Sequence, residues 1–244
     1  MTDYLLVHGA GQGAWSWGRV WGYLTAPQEH PPRLYVPRRV NRVCLVDLPG
    51  HGADTDGDTA DVRLEECVHA ITRAVEREEM KELVLVGHGF AGGLILQAVT
   101  RLPQPPKRIV LVAGIVPVSQ RSMLSAMPQM TRSGFRVLSA LSKLSRQDFR
   151  FPRSVIGRYL CNGMDPMVVV QFLGFFGPLP TRVLTAKLPL DEGPPTCPVT
   201  YVLLSQDKLL PPEAQERMAQ RIPGAEVVSV DSCHQVMLCK PKEL

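Results

Sequence analysis

Six short apolar runs set the limits on what this chain of 244 residues folds into. Residues 5–7, 43–46, 83–86, 108–113, 199–204 and 225–230 read as buried strands. Between them lie segments with helical spacing, at 15–24, 64–77, 91–100 and 213–221. In the second of these, Leu64, Cys67, Val68, Ile71 and Val75 share one face. Strands that are apolar through most of their length and alternate with helices imply a parallel sheet covered on both faces. The predicted class is therefore α/β, a mostly parallel sheet with helices on both sides.

Residues 118–196 break this rhythm. They are rich in methionine, phenylalanine and proline, with helix-like pieces at 123–130, 135–144, 155–161 and 167–176. An insertion between two core strands predicts a helical lid over the carboxyl ends of the sheet. The core is then 1–117 with 197–244, and the lid is 118–196. Met123, Met127, Met130, Phe172, Phe175 and Phe176 are its candidate pocket residues, about half lining a pocket and half packing the lid down. Residues 26–41 and 54–61 read as loops.

Bulk properties remove several function classes. A hydrophobic content of 45% fills a sizeable core, and the net charge of +4 is mild. The cluster of Arg33, Arg38, Arg39 and Arg42 reads as a solvated loop rather than a nucleic-acid patch. Six cysteines, at 44, 67, 161, 197, 233 and 239, show no C-x-x-C spacing and read as buried thiols of a reducing compartment, not as disulfides or a zinc site. No basic segment with a following apolar stretch opens the chain, and no uncharged apolar run reaches about 18 residues. The expectation is a cytoplasmic protein with a small-molecule partner, no nucleic acid and no membrane; the oligomeric state is left open.

The chemistry is concentrated at 83–93, Leu-Val-Leu-Val-Gly-His-Gly-Phe-Ala-Gly-Gly. This is a buried strand, a sharp turn and a helix that starts on small residues. In the Gly-x-Ser-x-Gly nucleophile elbow such a turn lifts a serine hydroxyl over the end of a parallel sheet. Here Gly89 stands where the serine belongs.

Five ordered segments carry a resemblance. They are Leu6 to Trp15 (Leu-Val-His-Gly-Ala-Gly-Gln-Gly-Ala-Trp), Val46 to Gly52 (Val-Asp-Leu-Pro-Gly-His-Gly), the turn at Gly89, Gln206-Asp207-Lys208, and Ser232 to Met237 (Ser-Cys-His-Gln-Val-Met). Together they resemble the α/β-hydrolase superfamily over nearly the whole chain. The nearest branch is that of plant methylesterases, hydroxynitrile lyases and small bacterial esterases. The resemblance implies that Asp207 is the triad acid and His234 the triad base. It also implies that the backbone amides of Ala10 and Phe90 form the oxyanion hole. Gly89 matches the nucleophile position and departs from it. The sequence stops at Leu244, where the family usually adds a final helix, which makes a trimmed C-terminus an expectation. No cofactor and no metal are implied.

Glycine offers no nucleophile, so the acyl-enzyme route is closed at this position. A His–Asp base with two oxyanion donors still suits proton abstraction beside a carbonyl, retro-addition, or direct attack by water. The expected substrate is a small, largely apolar carbonyl or ester compound. Two other readings stay open: a serine esterase inactivated by loss of its serine, and a non-catalytic receptor for a small ligand. Asp231 competes with Asp207 as the acid, and Ser16 is a substitute nucleophile to be weighed. His8, His51, His88 and Cys233 read as structural, and Ser205 as support for the Asp207 loop.

Overall fold

A computed structural model describes residues 2–25, 40–53, 59, 61–145, 149–190, 193 and 195–244. The amino-terminal half runs β1 (Thr2–Val7), a 3₁₀ turn (Ala14–Trp17), α1 (Gly18–Thr25), β2 (Val40–Val46), α2 (Leu64–Arg77), β3 (Leu83–His88), α3 (Ala91–Val99) and β4 (Arg108–Val112). The next stretch holds β5 (Arg121–Ser122), α4 (Met123–Ala126), α5 (Gln129–Ser145), α6 (Arg153–Tyr159), α7 (Pro166–Phe175), α8 (Thr181–Thr185) and β6 (Lys187–Leu188). The chain then returns through β7 (Val199–Leu204), α9 (Pro212–Ala219), β8 (Glu226–Val230) and α10 (Val236–Cys239).

Six strands form one sheet in the order β2-β1-β3-β4-β7-β8, parallel at every pairing. The register sets Val7 beside Gly87, His88 beside Val112, and Leu204 beside Val230. All carboxyl ends therefore finish along one edge, and the loops that follow β1, β3, β7 and β8 leave from it together. In open parallel sheets ligands bind outside that edge, where the strand order reverses. Here the reversal lies between β1 and β3.

Burial explains why these segments take these forms. Leu5, Leu85, Ile109, Leu111 and Tyr201 are fully buried in the sheet. The apolar face expected on α2 is buried as predicted, and its first turn is closed by Glu66, whose carboxylate accepts from the Arg63 amide at 2.7 Å. α3 is buried along almost its whole length. It lies so close to the sheet that any Cβ at Gly87 would collide with Ile95.

Several boundaries differ from expectation. The helix expected at 15–24 splits into a 3₁₀ turn and α1, because Asp47 accepts from the Ala14 amide at 2.7 Å and Ser16 Oγ donates to the Gly13 carbonyl at 2.8 Å. α4 stops at Ala126, since Met127 precedes Pro128 and is extended. The β5–β6 pair, α8 and α10 carry no strong sequence signal at their lengths. β2 begins at Val40, inside the expected 26–41 loop; residues 26–39, 54–58 and 60 lie outside the described residues. Among the described residues no helix is long and apolar enough to cross a membrane.

Candidate active site

The turn between β3 and α3 puts Gly89 in the left-handed region, at φ +50°. Three hydrogen bonds fix it. Its amide donates to the Val112 carbonyl at 2.9 Å, and its carbonyl accepts from Ile115 at 2.7 Å and from Gly92 at 3.0 Å. A Cβ built on Gly89 would meet the ring of His234, 3.3 Å from Nε2 and 3.5 Å from Cε1, and, its chain neighbours apart, nothing else within 4 Å among the described residues. A hydroxyl one bond further out would lie within hydrogen-bond reach of that nitrogen.

His234 follows β8, and Asp207 follows β7. Nδ1 of His234 donates to Asp207 Oδ2 at 2.7 Å, and both side chains are buried. This fixes the tautomer whose Nε2 lone pair faces the turn at Gly89. The other Asp207 oxygen accepts from the amides of Leu209 and Leu210 at 2.8 and 2.9 Å. Asp231 does not reach His234. It is exposed, and donors from Ser205 (2.8 Å) and Gln206 (2.9 Å) hold its carboxyl below the usual carboxylate range. Ser205 thus serves Asp231 rather than Asp207.

Gln215 on α9 is a supporting residue that the sequence reading missed. It is fully buried. Its Nε2 donates to the carbonyls of Leu210 (2.6 Å) and Leu204 (3.1 Å), and its Oε1 accepts from the Leu204 amide at 2.9 Å. Nε2 also reaches Asp207 Oδ2 at 3.5 Å, tying the end of β7 to the Asp207 loop. A glutamine on an otherwise buried helical face was the available signal.

Ala10 and Phe90 line one cavity with His234, together with Gln12, Phe135, Leu160 and Phe176. Among the described residues neither the Ala10 nor the Phe90 amide donates a hydrogen bond. Phe90 also caps the N-terminus of α3, where backbone dipoles favour negative charge. The cavity measures only about 40 Å³, enough for a water or a few ligand atoms and far below the usual volume of a drug-sized site. Larger clefts of about 630 and 680 Å³ open elsewhere, and neither is lined by His234 or Gly89.

The remaining candidates have other employment. Ser16 is buried and spent on Gly13. His8 donates from Nδ1 to the Gly9 carbonyl (2.8 Å) and accepts from the Leu48 amide at Nε2 (3.0 Å). Burial, reinforced by His51, pushes its pKa down to about 3. His88 donates to the His234 carbonyl at 2.9 Å, and burial holds its pKa well below the ordinary value. His51 donates to the Pro49 carbonyl at 2.9 Å and stacks on Phe90. Three rings, of which burial keeps His8 and His88 neutral, therefore pin the loops around the site.

The thiols are less uniform than expected. Cys67, Cys161 and Cys233 are buried, Cys44 and Cys197 are half-buried, and Cys239 is exposed. Cys233 and Cys239 bring their sulfurs to 3.3 Å, and that hydrogen bond draws the Cys233 thiol down to about 7. Of the expected pocket residues, Met127 and Phe176 line the cavity, and Met123 is packed in the core. Phe172 and Phe175 lie against Trp15, and the side chain of Met130 is outside the described residues.

Comparison with known proteins identifies the family. The alpha/beta hydrolase family pattern matches residues 4–239, and the chain belongs to that family. Methylesterase 1 of Arabidopsis thaliana is 27% identical over 99% of this chain and 92% of its own length. Norfluorocurarine synthase 2 of a Strychnos species is 23% identical over 99% and 91%. The structure of an extracellular alpha/beta-hydrolase from a Paenibacillus species superposes with a TM-score of 0.85 at 20% identity, covering 100% of this chain and 96% of that one. The chain is thus a hydrolase or lyase of the α/β-hydrolase superfamily, and it is similar to plant methylesterases.

Proposed function

We propose that the chain turns over a small, largely apolar carbonyl or ester compound without a serine nucleophile. His234 is the base, Asp207 orients it, and the amides of Ala10 and Phe90 receive the developing oxyanion. The observation that carries this reading is the position of His234. Its Nδ1 is held by Asp207 at 2.7 Å, and its Nε2 lies 3.3 Å from the point where a Cβ at Gly89 would stand. Space used by a serine in an esterase is here open to the attacking oxygen of water, or to a substrate atom that loses a proton. In the first case His234 takes a proton from water as its oxygen adds to the carbonyl. In the second it takes a hydroxyl proton from the substrate as the carbon–carbon bond at that hydroxyl's carbon breaks and the oxygen becomes a carbonyl, and the imidazolium then gives its proton to the departing carbanion. Relatives named as methylesterases support an ester among the candidate substrates. The small cavity supports a small substrate, admitted when residues 118–196 open as a lid over the core. The six free thiols support a reducing, cytoplasmic setting.

The test is turnover of esters, lactones and cyanohydrins by the wild type and by His234→Ala. Loss of about 10²- to 10⁴-fold is expected when the imidazole goes. Equal turnover by the two proteins overturns the reading. A second reading, a serine esterase silenced at one position, is favoured by the open path from Gly89 to Nε2. It predicts that restoring the serine restores acyl-enzyme chemistry.

A further inference from the structure

Residues 118–196 differ from the rest of the chain in charge. They hold ten Lys and Arg against four Asp and Glu, whereas the remaining residues hold 17 against 19. The whole positive excess of the protein therefore sits in the segment that roofs the cavity. Of the twelve large apolar side chains that stand exposed among the described residues, eight lie in the same segment.

Geometry assigns five of these, on α5 and α7, to the side away from the cavity. Phe135 of α5, Leu160 beyond α6 and Phe176 beyond α7 line the cavity with His234, so these helices turn one side inward. On α5 the positions opposite Phe135 are Val137, Leu141 and Leu144, all exposed, Leu144 by 84%. α7 buries Phe172 against Trp15 and turns Met167 and Val170 outward, 68% and 62% exposed. It has no charged residue of its own. α6 packs beside it, with Arg153 Nη2 donating to the Leu173 carbonyl at 3.4 Å. Among the described residues, Arg182 is the cation of this segment that holds an ion pair, with Asp61, while Arg136, Arg153 and Arg158 are exposed and face no carboxylate. Asp165, the acid at the edge of the patch, caps α7 by accepting from the amides of Met167 and Val168.

We propose that this outer face docks on an anionic lipid surface. Exposed apolar side chains on α7, beside the arginines of α6, fit a surface that is apolar below and negative above. A second copy of the chain is the weaker occupant, because a twofold contact would set the same arginines against each other. The expectation of no membrane partner rested on the lack of a spanning segment, and this contact needs none. A helix lying in the interface buries one face only. Docking would bring the roof over the oxyanion loop to where apolar esters partition. The inference is independent of the chemistry at His234.

The experiment is flotation of the full chain with vesicles of phosphatidylcholine alone and of phosphatidylcholine mixed with phosphatidylglycerol. Binding is expected to the mixed vesicles at about 0.1 M salt, and to be lost near 1 M, where the screening length falls to about 3 Å. Arg153→Gln and Arg158→Gln are each expected to weaken it about fivefold. Met167→Glu with Val170→Glu is expected to remove it while the melting transition is retained. If that pair unfolds, the arginine variants and the salt series still decide. Equal binding to both vesicle types, or binding to neither at about 0.1 M salt, overturns the proposal. So does a dimer in sedimentation velocity that Met167→Glu dissolves, which would assign the face to a second copy.

Discussion

Gly89 answers to two constraints that can be separated by mutation. The backbone there is at φ +50°, where any side chain costs about 1–2 kcal/mol. A Cβ would also sit 3.3 Å from His234 Nε2, a tight but negotiable contact. Gly89→Ala is therefore expected to lower stability by about 1–2 kcal/mol, read as a fall of roughly 2–4 °C in Tm per kcal/mol. Gly89→Ser carries the same strain but places an oxygen beside the imidazole. Intact-mass analysis after a fluorophosphonate probe should show one adduct on the serine variant. None should form on the alanine variant, or on the serine variant that also carries His234→Ala. No adduct on a folded Gly89→Ser protein removes the silenced-esterase reading. Gln215 is the other decisive single residue. Gln215→Leu leaves the Leu204 amide and the carbonyls of Leu204 and Leu210 without their buried partner. Each orphaned buried group costs about 1–3 kcal/mol, so thermal unfolding should shift by more than it does for Gly89→Ala.

Among the elements, α7 and the loop after β1 depend on each other. The Gly177 amide, just past α7, donates to the Gly11 carbonyl at 2.7 Å, and the Phe176 ring fills the space where a side chain at Gly11 would stand. Phe176 is both the plug of the cavity and part of its support. Phe176→Ala is expected to cost about 3 kcal/mol, the lower end for a buried phenylalanine, because the ring sits at the edge of the core. On the proposed function it should also raise kcat/KM for bulky esters relative to small ones. A ratio unchanged from wild type would show that the ring does not gate the site. This coupling was only half legible in the sequence. The central strands could be read because burial on both faces demands apolar residues at nearly every position. The turn at Gly89 could be read because a sharp strand-to-helix turn demands small residues, while Asp207 and His234 were legible through the resemblance of their motifs to the α/β-hydrolase superfamily. The residues between β4 and β7 obey neither demand. Phe135 of α5 packs there with Phe149 and Phe151 of the segment before α6, and such mutual edge-to-face contacts have no fixed spacing in sequence. The role of Gln215 was missed for a related reason: although a glutamine on a buried helical face was a signal, the backbone groups of Leu204 and Leu210 and the Asp207 carboxylate it reaches are brought together only by the end of β7 and its loop.

At the scale of the whole molecule, the loops that build the site are held by rings that must stay neutral. His8 joins the end of β1 to the loop after β2 through Gly9 and Leu48, and His88 joins the end of β3 to the segment after β8 through the His234 carbonyl. Both have folded-state pKa values depressed by burial, His8 to about 3. An unfolded chain binds protons at these residues once the pH falls below about 6.5, while the folded chain does not. Protonation therefore favours the unfolded state. The contribution is fully present above about pH 6.5 and is lost as the pH drops toward the folded pKa. Each such histidine adds a slope of about 1.4 kcal/mol per pH unit within that window. Glu65, beside Arg101, and Asp231, beside Ser205 and Gln206, act in the same direction only at lower pH, since their depressed values lie below the carboxylate range. Urea unfolding at pH 8, 7 and 5 should thus show stability nearly level across the first interval and falling across the second, where each of the two histidines contributes about 2 kcal/mol. His8→Asn should flatten that fall by about half, because one of the two titrating rings is gone. A wild-type curve that stays level down to pH 5 would mean that these rings are solvated or already charged in the fold, and that the loops around His234 are held by something other than the two neutral imidazoles.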